Sequence, residues 1–298
     1  MQYDVIIVGA SFAGASAAMQ LVRARRKVLM IDAGQPRNRY AAAAHGFLAQ
    51  DGVAPHLIIA TAIEQLLAYP DFELVVCQAE HAAAQTQGIS VRLEDGRSFT
   101  ASRLILATGV RDELPDIPGL QQRWGQTVVH CPYCHGYEVR DRPLGVIATT
   151  PLSAHQAIML PDWGPTTYFT QGAFEPEENE LALMQRRGVQ IERTPVIEVL
   201  GSAPEIDAVR LGDGRTLVIG ALFVGPRVHM SSPLAVQLGC TFEQGPMGPH
   251  IQIDGTQQTS VRHVFAAGDA AAAFHNATFA AASGVMAGVS AHRSLIMA

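Results

Sequence analysis

The chain has 298 residues, 48% of them hydrophobic and only 16% charged, so it carries apolar material for a large core and is neither a disordered nor a low-complexity chain. Its 21 lysines and arginines against 27 acids leave a formal charge of −6 at pH 7, a balance that argues against nucleic acid as a partner. The length corresponds to two domains at the usual ~150 residues each.

Tyr3 to Val8 is a short, β-branched apolar run and reads as a strand. Gly9-Ala-Ser-Phe-Ala-Gly14 follows as a turn, then a helix to about Arg25, then a second strand Val28 to Asp32. This β-turn-α-β order is where a dinucleotide fingerprint has physical meaning. The first glycine permits the tight turn, the middle position lets backbone approach a pyrophosphate, and Gly14 lets helix pack on strand. Asp32 is placed to receive ribose hydroxyls. Ser11 stands at the middle position, so the pattern is G-x-S-x-x-G. Two stretches free of Asp, Glu, Lys and Arg, Val5 to Val22 and Ala270 to His292, are interrupted by glycines and polar side chains, which excludes a signal peptide and a spanning helix. With four cysteines and no export signal, the expected compartment is the cytoplasm.

Further on, Arg103 to Gly109 is a strand ending in Thr-Gly. His130-Cys-Pro-Tyr-Cys-His-Gly-Tyr-Glu138 follows, where Cys131 and Cys134 are spaced to close a small disulfide, and one thiol of such a pair has a depressed pKa. Zinc is the competing ligand for this cluster, but adjacent residues converge poorly on one tetrahedral centre and no second C-x-x-C exists. Cys77 and Cys240 are expected as buried, inert thiols. A second β-turn-α-β unit runs from Leu144 through a helix near Ala154 to Leu160 and a strand Thr166 to Thr170. Val264 to Asp269 is a last strand, ending in Gly-Asp.

The segments at Gly9, Thr108-Gly109 and Gly268-Asp269 together resemble the three FAD-contacting segments of the two-domain flavoprotein disulfide reductases. With the cysteine pair, nearly the whole chain resembles low-molecular-weight thioredoxin reductases. The run Cys-Pro-Tyr-Cys-His-Gly-Tyr-Glu is nearer to a branch containing the dithiol oxidases of disulfide-bearing natural products. The resemblance implies an α/β fold of two Rossmann-like dinucleotide-binding domains, the second inserted into the first. Residues 1–112 and 229–298 form the FAD-binding domain, and 113–228 an NAD(P)H-binding-like domain carrying the cysteines. It implies cofactor contacts at Gly9, Ser11, Phe12, Ala13 and Gly14, and at Asp32, Ala33, Arg39, His45 and Ala82. Thr108, Gly109, Gly268 and Asp269 are implied too, with His275, Asn276, Ala277 and Thr278 at the pyrimidine edge of the flavin and a homodimer interface on the helix that follows. It further implies that Cys134 faces the flavin and Cys131 exchanges with substrate. The family's acid after the pair is here His135, whose imidazole makes it the candidate acid/base.

An NADPH user needs a second glycine fingerprint after the strand near Ala148, yet Ala148, Thr150 and Ser153 stand at its three glycine positions. No arginine cluster for a 2′-phosphate follows the next strand, which leads instead to Glu175, Glu177 and Glu178. NADPH is therefore expected to bind weakly or not at all. The expected function is an FAD-dependent thiol-disulfide oxidoreductase with dithiol oxidation as its preferred direction. The rivals are a thioredoxin reductase fed by NADPH or ferredoxin and a non-catalytic flavin redox sensor. A small-molecule dithiol or disulfide, or a thioredoxin-like protein, is the expected partner.

Overall fold

Runs such as Tyr3-Asp-Val-Ile-Ile-Val8 and Val28-Leu-Met-Ile-Asp32 are apolar on both faces, the pattern of strands covered on both sides. The computed structural model describes residues 2–86 and 88–297. Among the described residues these strands lie in a seven-stranded sheet. Its parallel core joins Phe72–Val76, Val28–Asp32, Tyr3–Val8, Ser98–Leu106 and Val264–Ala266, and an antiparallel pair, Gly88–Leu93 and Ala79–Gln85, extends from Ser98–Leu106.

The chain divides into two units. The first comprises Met1–Arg39, Pro55–Arg111 and Val228–Ala298, and the second Tyr40–Ala54 and Asp112–Arg227. The segment Tyr40–Ala54, assigned from sequence to the FAD-binding portion, thus groups with the second unit. Its first residue shows why: Tyr40 packs so tightly that a Cβ on Gly125 would lie 2.7 Å from the Tyr40 Cβ.

In the first unit the helices Phe12–Arg23 and Ala277–Ile296 cross at very short range. A Cβ on Gly284 would lie 2.0 Å from the Ala13 carbonyl oxygen, and one on Gly288 would lie 2.6 Å from that of Ala17. Small residues four apart on each helix let the backbones meet, which explains the alanine- and glycine-rich C-terminal run as packing. No helix among the described residues is long and apolar enough to cross a membrane.

The second unit has its own parallel sheet, in the order Gln190–Glu192, Thr166–Phe169, Leu144–Ile147, Ala221–Val224, Val128–Val129. An antiparallel meander, Val196–Leu200, Ala208–Leu211 and Thr216–Val218, accompanies it. The core under that meander includes Leu120, Ile147, Phe169, Val209 and Leu222.

Candidate active site

The first glycine turn follows Tyr3–Val8. Gly9 has φ of +106°, a left-handed value that side chains resist, and a Cβ there would lie 2.2 Å from the Ala107 carbonyl oxygen. Gly14 is required by space alone, since its Cβ would lie 1.8 Å from the Gly9 carbonyl oxygen. The helix Phe12–Arg23 therefore starts directly over the turn. Ser11 is its N-cap residue, makes no side-chain cap bond, and no acid occupies the first turn. A helix start of this kind offers N–H groups and the positive end of its dipole to an anion. Phe12 and Ala13 are buried in the core, so only their backbone can serve a ligand. Asp32 closes the turn from the next strand: one carboxylate oxygen accepts the Ala10 N–H and the other the Gly34 N–H, both at 2.9 Å. Each oxygen keeps a second lone pair. Ala33 beside it is exposed.

In the same unit Arg37 joins two of the residues singled out from sequence. Its guanidinium donates to the Asp269 carboxylate at 2.9 Å and to Nδ1 of His275 at 2.6 Å. Because guanidinium only donates, Nδ1 of His275 is the acceptor, and Nε2 carries the proton toward the Ala272 carbonyl at 3.2 Å. Sequence reasoning chose Arg39 and missed Arg37. Arg39 is exposed, with its guanidinium on the Pro36 carbonyl. The two arginines flank Asn38, and the only sequence signal was the pair itself.

Gly268, at φ +73°, donates its N–H to the Ser283 hydroxyl at 2.8 Å. Asn276 caps the C-terminal helix, its side-chain oxygen accepting the Thr278 N–H, and Ala277 is the first helical residue. Thr108 and Gly109 follow the strand Ser98–Leu106, with Gly109 at φ +63°. A cavity of about 290 Å³ is lined by Gly268, Asp269, Gln257, Phe274, Phe279 and Ser283, among others. The buried side-chain oxygen of Gln257 has no hydrogen-bond partner among the described residues. Ala82 is buried in its strand, and its N–H is already given to the Gln237 side chain at 3.0 Å. Cys240 is buried as expected, whereas Cys77 is only half-buried, with its thiol on Glu94 at 3.7 Å.

The segment with the cysteine pair belongs to the second unit. Cys131 is the N-cap of the short helix Pro132–His135, with proline at the first helical position, where a missing N–H costs nothing. The N–H groups of Cys134 and His135 both point at the Cys131 carbonyl, at 3.2 Å. Trp163 packs on Gly136, where a Cβ would lie 2.9 Å from its indole nitrogen, and it meets the ring of Tyr133 edge-on at 5.8 Å. Tyr133 itself is 75% exposed.

Both cysteines are free thiols, half-buried, and chemically unequal. The Cys134 thiol donates to Cys131 and, helped by the backbone N–H groups of Cys134 and Tyr133 against the cost of burial, brings the Cys131 thiol down to about 7. Giving that hydrogen bond, together with burial and the neighbouring negative charge, pushes Cys134 far up. Burial holds His135 below the ordinary imidazole range. The Glu138 carboxylate opposes this shift and His45 adds to it. His135 is therefore neutral at pH 7. His45, assigned from sequence to the cofactor site, lies in this second unit with Nε2 at 3.6 Å from Glu138 and Nδ1 at 3.5 Å from Asp51.

The second nucleotide-type turn is filled by the chain itself. After Leu144–Ile147, the Ser153 hydroxyl accepts the N–H groups of Thr149 at 3.1 Å and Thr150 at 3.3 Å, and the Thr149 hydroxyl donates to the Gly225 carbonyl at 2.7 Å. Ser153 is buried. At the end of the next strand, Gln171 is locked to both backbone groups of Val196. The arginines nearby are paired: Arg193 with Glu175 at 3.0 Å, Arg215 with Glu192 at 2.9 Å.

Parallel sheets with strand-turn-helix nucleotide geometry, and a vicinal thiol pair of unequal acidity, define a dinucleotide-binding disulfide oxidoreductase. The chain belongs to the pyridine nucleotide-disulphide oxidoreductase family, whose model matches residues 3–159 and 172–286. It is a thioredoxin reductase-like enzyme of an FAD-binding family. It is 34% identical over 307 residues to thioredoxin reductase tcpT of Claviceps purpurea, covering 98% of this chain and 94% of the relative. It is 30% identical over 305 residues to thioredoxin reductase sirT of Leptosphaeria maculans, covering 96% and 92%. The crystal structure of an oxidoreductase from Agrobacterium tumefaciens superposes with a TM-score of 0.95 at 47% identity, covering 100% of this chain and 99% of the other.

Proposed function

We propose that this enzyme oxidises an external dithiol through Cys131 and Cys134, with FAD held in the first unit and little or no use of NADPH. The observation that carries this reading is Ser153. The N–H groups a nicotinamide dinucleotide's pyrophosphate would take are satisfied by a buried hydroxyl, so the electrons come from the thiol substrate. The residues do not fit NADPH.

They do fit FAD. An uncapped helix start after Gly9 suits a pyrophosphate, and Asp32 has lone pairs left for ribose hydroxyls. A cavity of about 290 Å³ lined by Gly268 and Asp269 leaves room for a ligand beside that carboxylate. Gly9, Ser11, Gly14, Asp32, Gly268 and Asp269 would hold the cofactor, with Arg37 and His275 fixing the Asp269 carboxylate. FAD, when bound, supplies the two-electron acceptor that regenerates the cysteine bond.

In the oxidised pair, His135 takes the proton of a substrate thiol, and the resulting thiolate attacks Cys131 Sγ. The Cys131–Cys134 bond breaks, its electron pair leaves on Cys134 Sγ, and His135 returns the proton there. His135, neutral again, takes the proton of the second substrate thiol; the thiolate so formed attacks the substrate sulfur of the mixed disulfide, the bond to Cys131 Sγ breaks, and Cys131 leaves as thiolate. An acidic thiol leaves readily, and Cys131, at about 7, is the more acidic of the two.

A second reading, reduction of a thioredoxin-like protein, rests on the names borne by tcpT and sirT. The exposed Phe279, Val285, Met286 and Val289 on the C-terminal helix favour a homodimer. Oxygen uptake with dithiothreitol, set against thioredoxin reduction with NADPH or ferredoxin, separates the readings. Oxidase turnover is expected with dithiothreitol and absent in Cys131→Ser and Cys134→Ser. Turnover that survives either substitution overturns the assignment, and native protein with no turnover at all returns it to a sensor.

A further inference from the structure

The segment with the cysteine pair is gripped on both sides by one run of the second unit. The helix Ser153–Met159 continues into a 3-10 turn, Leu160–Asp162, and Trp163 closes that run. Before the pair, the side-chain amide of Gln156 donates to the His130 carbonyl. That carbonyl belongs to the peptide joining His130 to Cys131, so the bond fixes the plane from which the Cys131 side chain departs. After the pair, the Trp163 ring packs on Gly136, where a Cβ would lie 2.9 Å from the indole nitrogen, and the Trp163 carbonyl accepts the Asp141 N–H at 2.7 Å. The same ring meets Tyr133, between the two cysteines, edge-on at 5.8 Å. The run is itself anchored where it begins, because the buried Ser153 hydroxyl accepts the Thr149 and Thr150 N–H groups. Gln156 lies three residues on from Ser153, a spacing that puts both on one face of the helix.

We propose that Gln156 and Trp163 are positioning residues for the cysteine pair, and that the helix after the second turn serves as its mount. The proposal rests on the role given above to Cys131 and Cys134. The pair sits on a helix of four residues, Pro132–His135. Helices shorter than ~12–15 residues do not hold their shape alone, so this one depends on what packs against its ends. Its own backbone supplies little: the Cys134 and His135 N–H groups share the Cys131 carbonyl, each at 3.2 Å. Gln156 fixes the peptide that enters the turn, and Trp163 fixes Gly136, which leaves it. With both ends held, the Cys131 sulfur stays where the Cys134 thiol and the N–H groups of Cys134 and Tyr133 favour its thiolate. Releasing the His130 carbonyl lets the peptide before Cys131 rotate and takes the sulfur away from those donors. A turn and helix of the kind that elsewhere serve a nucleotide are used here to hold thiols in place.

The test is the pH profile of Cys131 alkylation by iodoacetamide in the reduced, FAD-loaded protein, with the label located by tandem mass spectrometry. Gln156→Met keeps the length of the side chain and removes its donor. Its Cys131 midpoint is expected to rise, and labelling at pH 7 to slow by about twofold. Gln156→Glu, ionised at this pH and unable to donate, should do the same. Trp163→Leu should move the midpoint in the same direction, and Trp163→Phe, which keeps a ring against Gly136, should bring it back toward the native value. Buried Cys240, in the first unit, reports on general loosening and should label no faster in any variant. A native midpoint in Gln156→Met and Gln156→Glu, or a shift that comes only with faster labelling of Cys240, overturns the proposal and leaves the oxidase reading intact, because labelling requires no turnover. Dithiothreitol oxidation that survives Cys131→Ser overturns that reading, and the proposal with it.

Discussion

At residues 9–14 a twelve-residue helix starts without a side-chain cap, whereas at 148–154 the hydroxyl of Ser153 already accepts the N–H groups that the turn exposes. Both regions share a parallel strand, a turn and a helix, so the backbone plan alone does not decide what binds. The decision lies in two features. Glycine at 9 and 14 lets backbone approach to distances that a Cβ would forbid, and a side chain supplies or withholds the hydrogen bonds an anion needs. The first turn retains an unmet demand for an anion. The second has answered it internally.

The comparison breaks most directly at Gly14. Gly14→Ala puts a Cβ 1.8 Å from the Gly9 carbonyl oxygen, and the helix must move off its strand. We expect loss of bound flavin on gel filtration and a fall in Tm on the order of 5–10 °C by calorimetry. Flavin retained at native stoichiometry would contradict the role given to the first turn.

The cysteine pair, which lies between the two turns in sequence, is sharpened by pH. With its thiol at about 7, Cys131 in the reduced protein is half thiolate near neutrality, and its alkylation by iodoacetamide should rise through pH 7 and level off above it. Cys134→Ala removes the donor that lowers it. The rise should move to higher pH, and alkylation at pH 7 should slow by roughly tenfold. An unmoved profile would mean that another group activates Cys131.

A smaller effect is expected from reopening the second turn. Thr150→Gly combined with Ser153→Gly returns two glycines and frees the N–H groups of Thr149 and Thr150. NADPH affinity should improve by about tenfold, or ~1.4 kcal/mol, by calorimetric titration. Ser153→Ala alone frees the same N–H groups without restoring glycine, and should improve NADPH binding by a smaller factor, about threefold. It should cost about 1 kcal/mol in stability, because two part-buried N–H groups lose their shared acceptor.

Much of this contrast was legible from residues alone. The strands Tyr3–Val8 and Val28–Asp32 fall where continuous apolar runs placed them, and the helix between ends at Arg23 rather than about Arg25. The absence of glycine at 148, 150 and 153 could be read without coordinates. That Ser153 actively fills the vacancy could not, because one hydroxyl meeting two N–H groups is a matter of rotamer and turn geometry. The same limit applies to Arg37 against Arg39, where the choice rests on contacts to Asp269 and His275 more than two hundred residues away. His45 was carried to the cofactor site by likeness of pattern, and the grouping of Tyr40–Ala54 with the second unit has no local signature. Local periodicity reports burial and turn chemistry well, and long-range pairing of charged side chains hardly at all.

The central claim is that this enzyme takes its electrons from thiols and not from a pyridine nucleotide. Anaerobic titration of the yellow holoprotein, followed by flavin absorbance, tests it directly. Dithiothreitol should bleach the flavin stoichiometrically while micromolar NADPH or NADH leaves the spectrum unchanged. Rapid bleaching by micromolar NADPH would contradict the account.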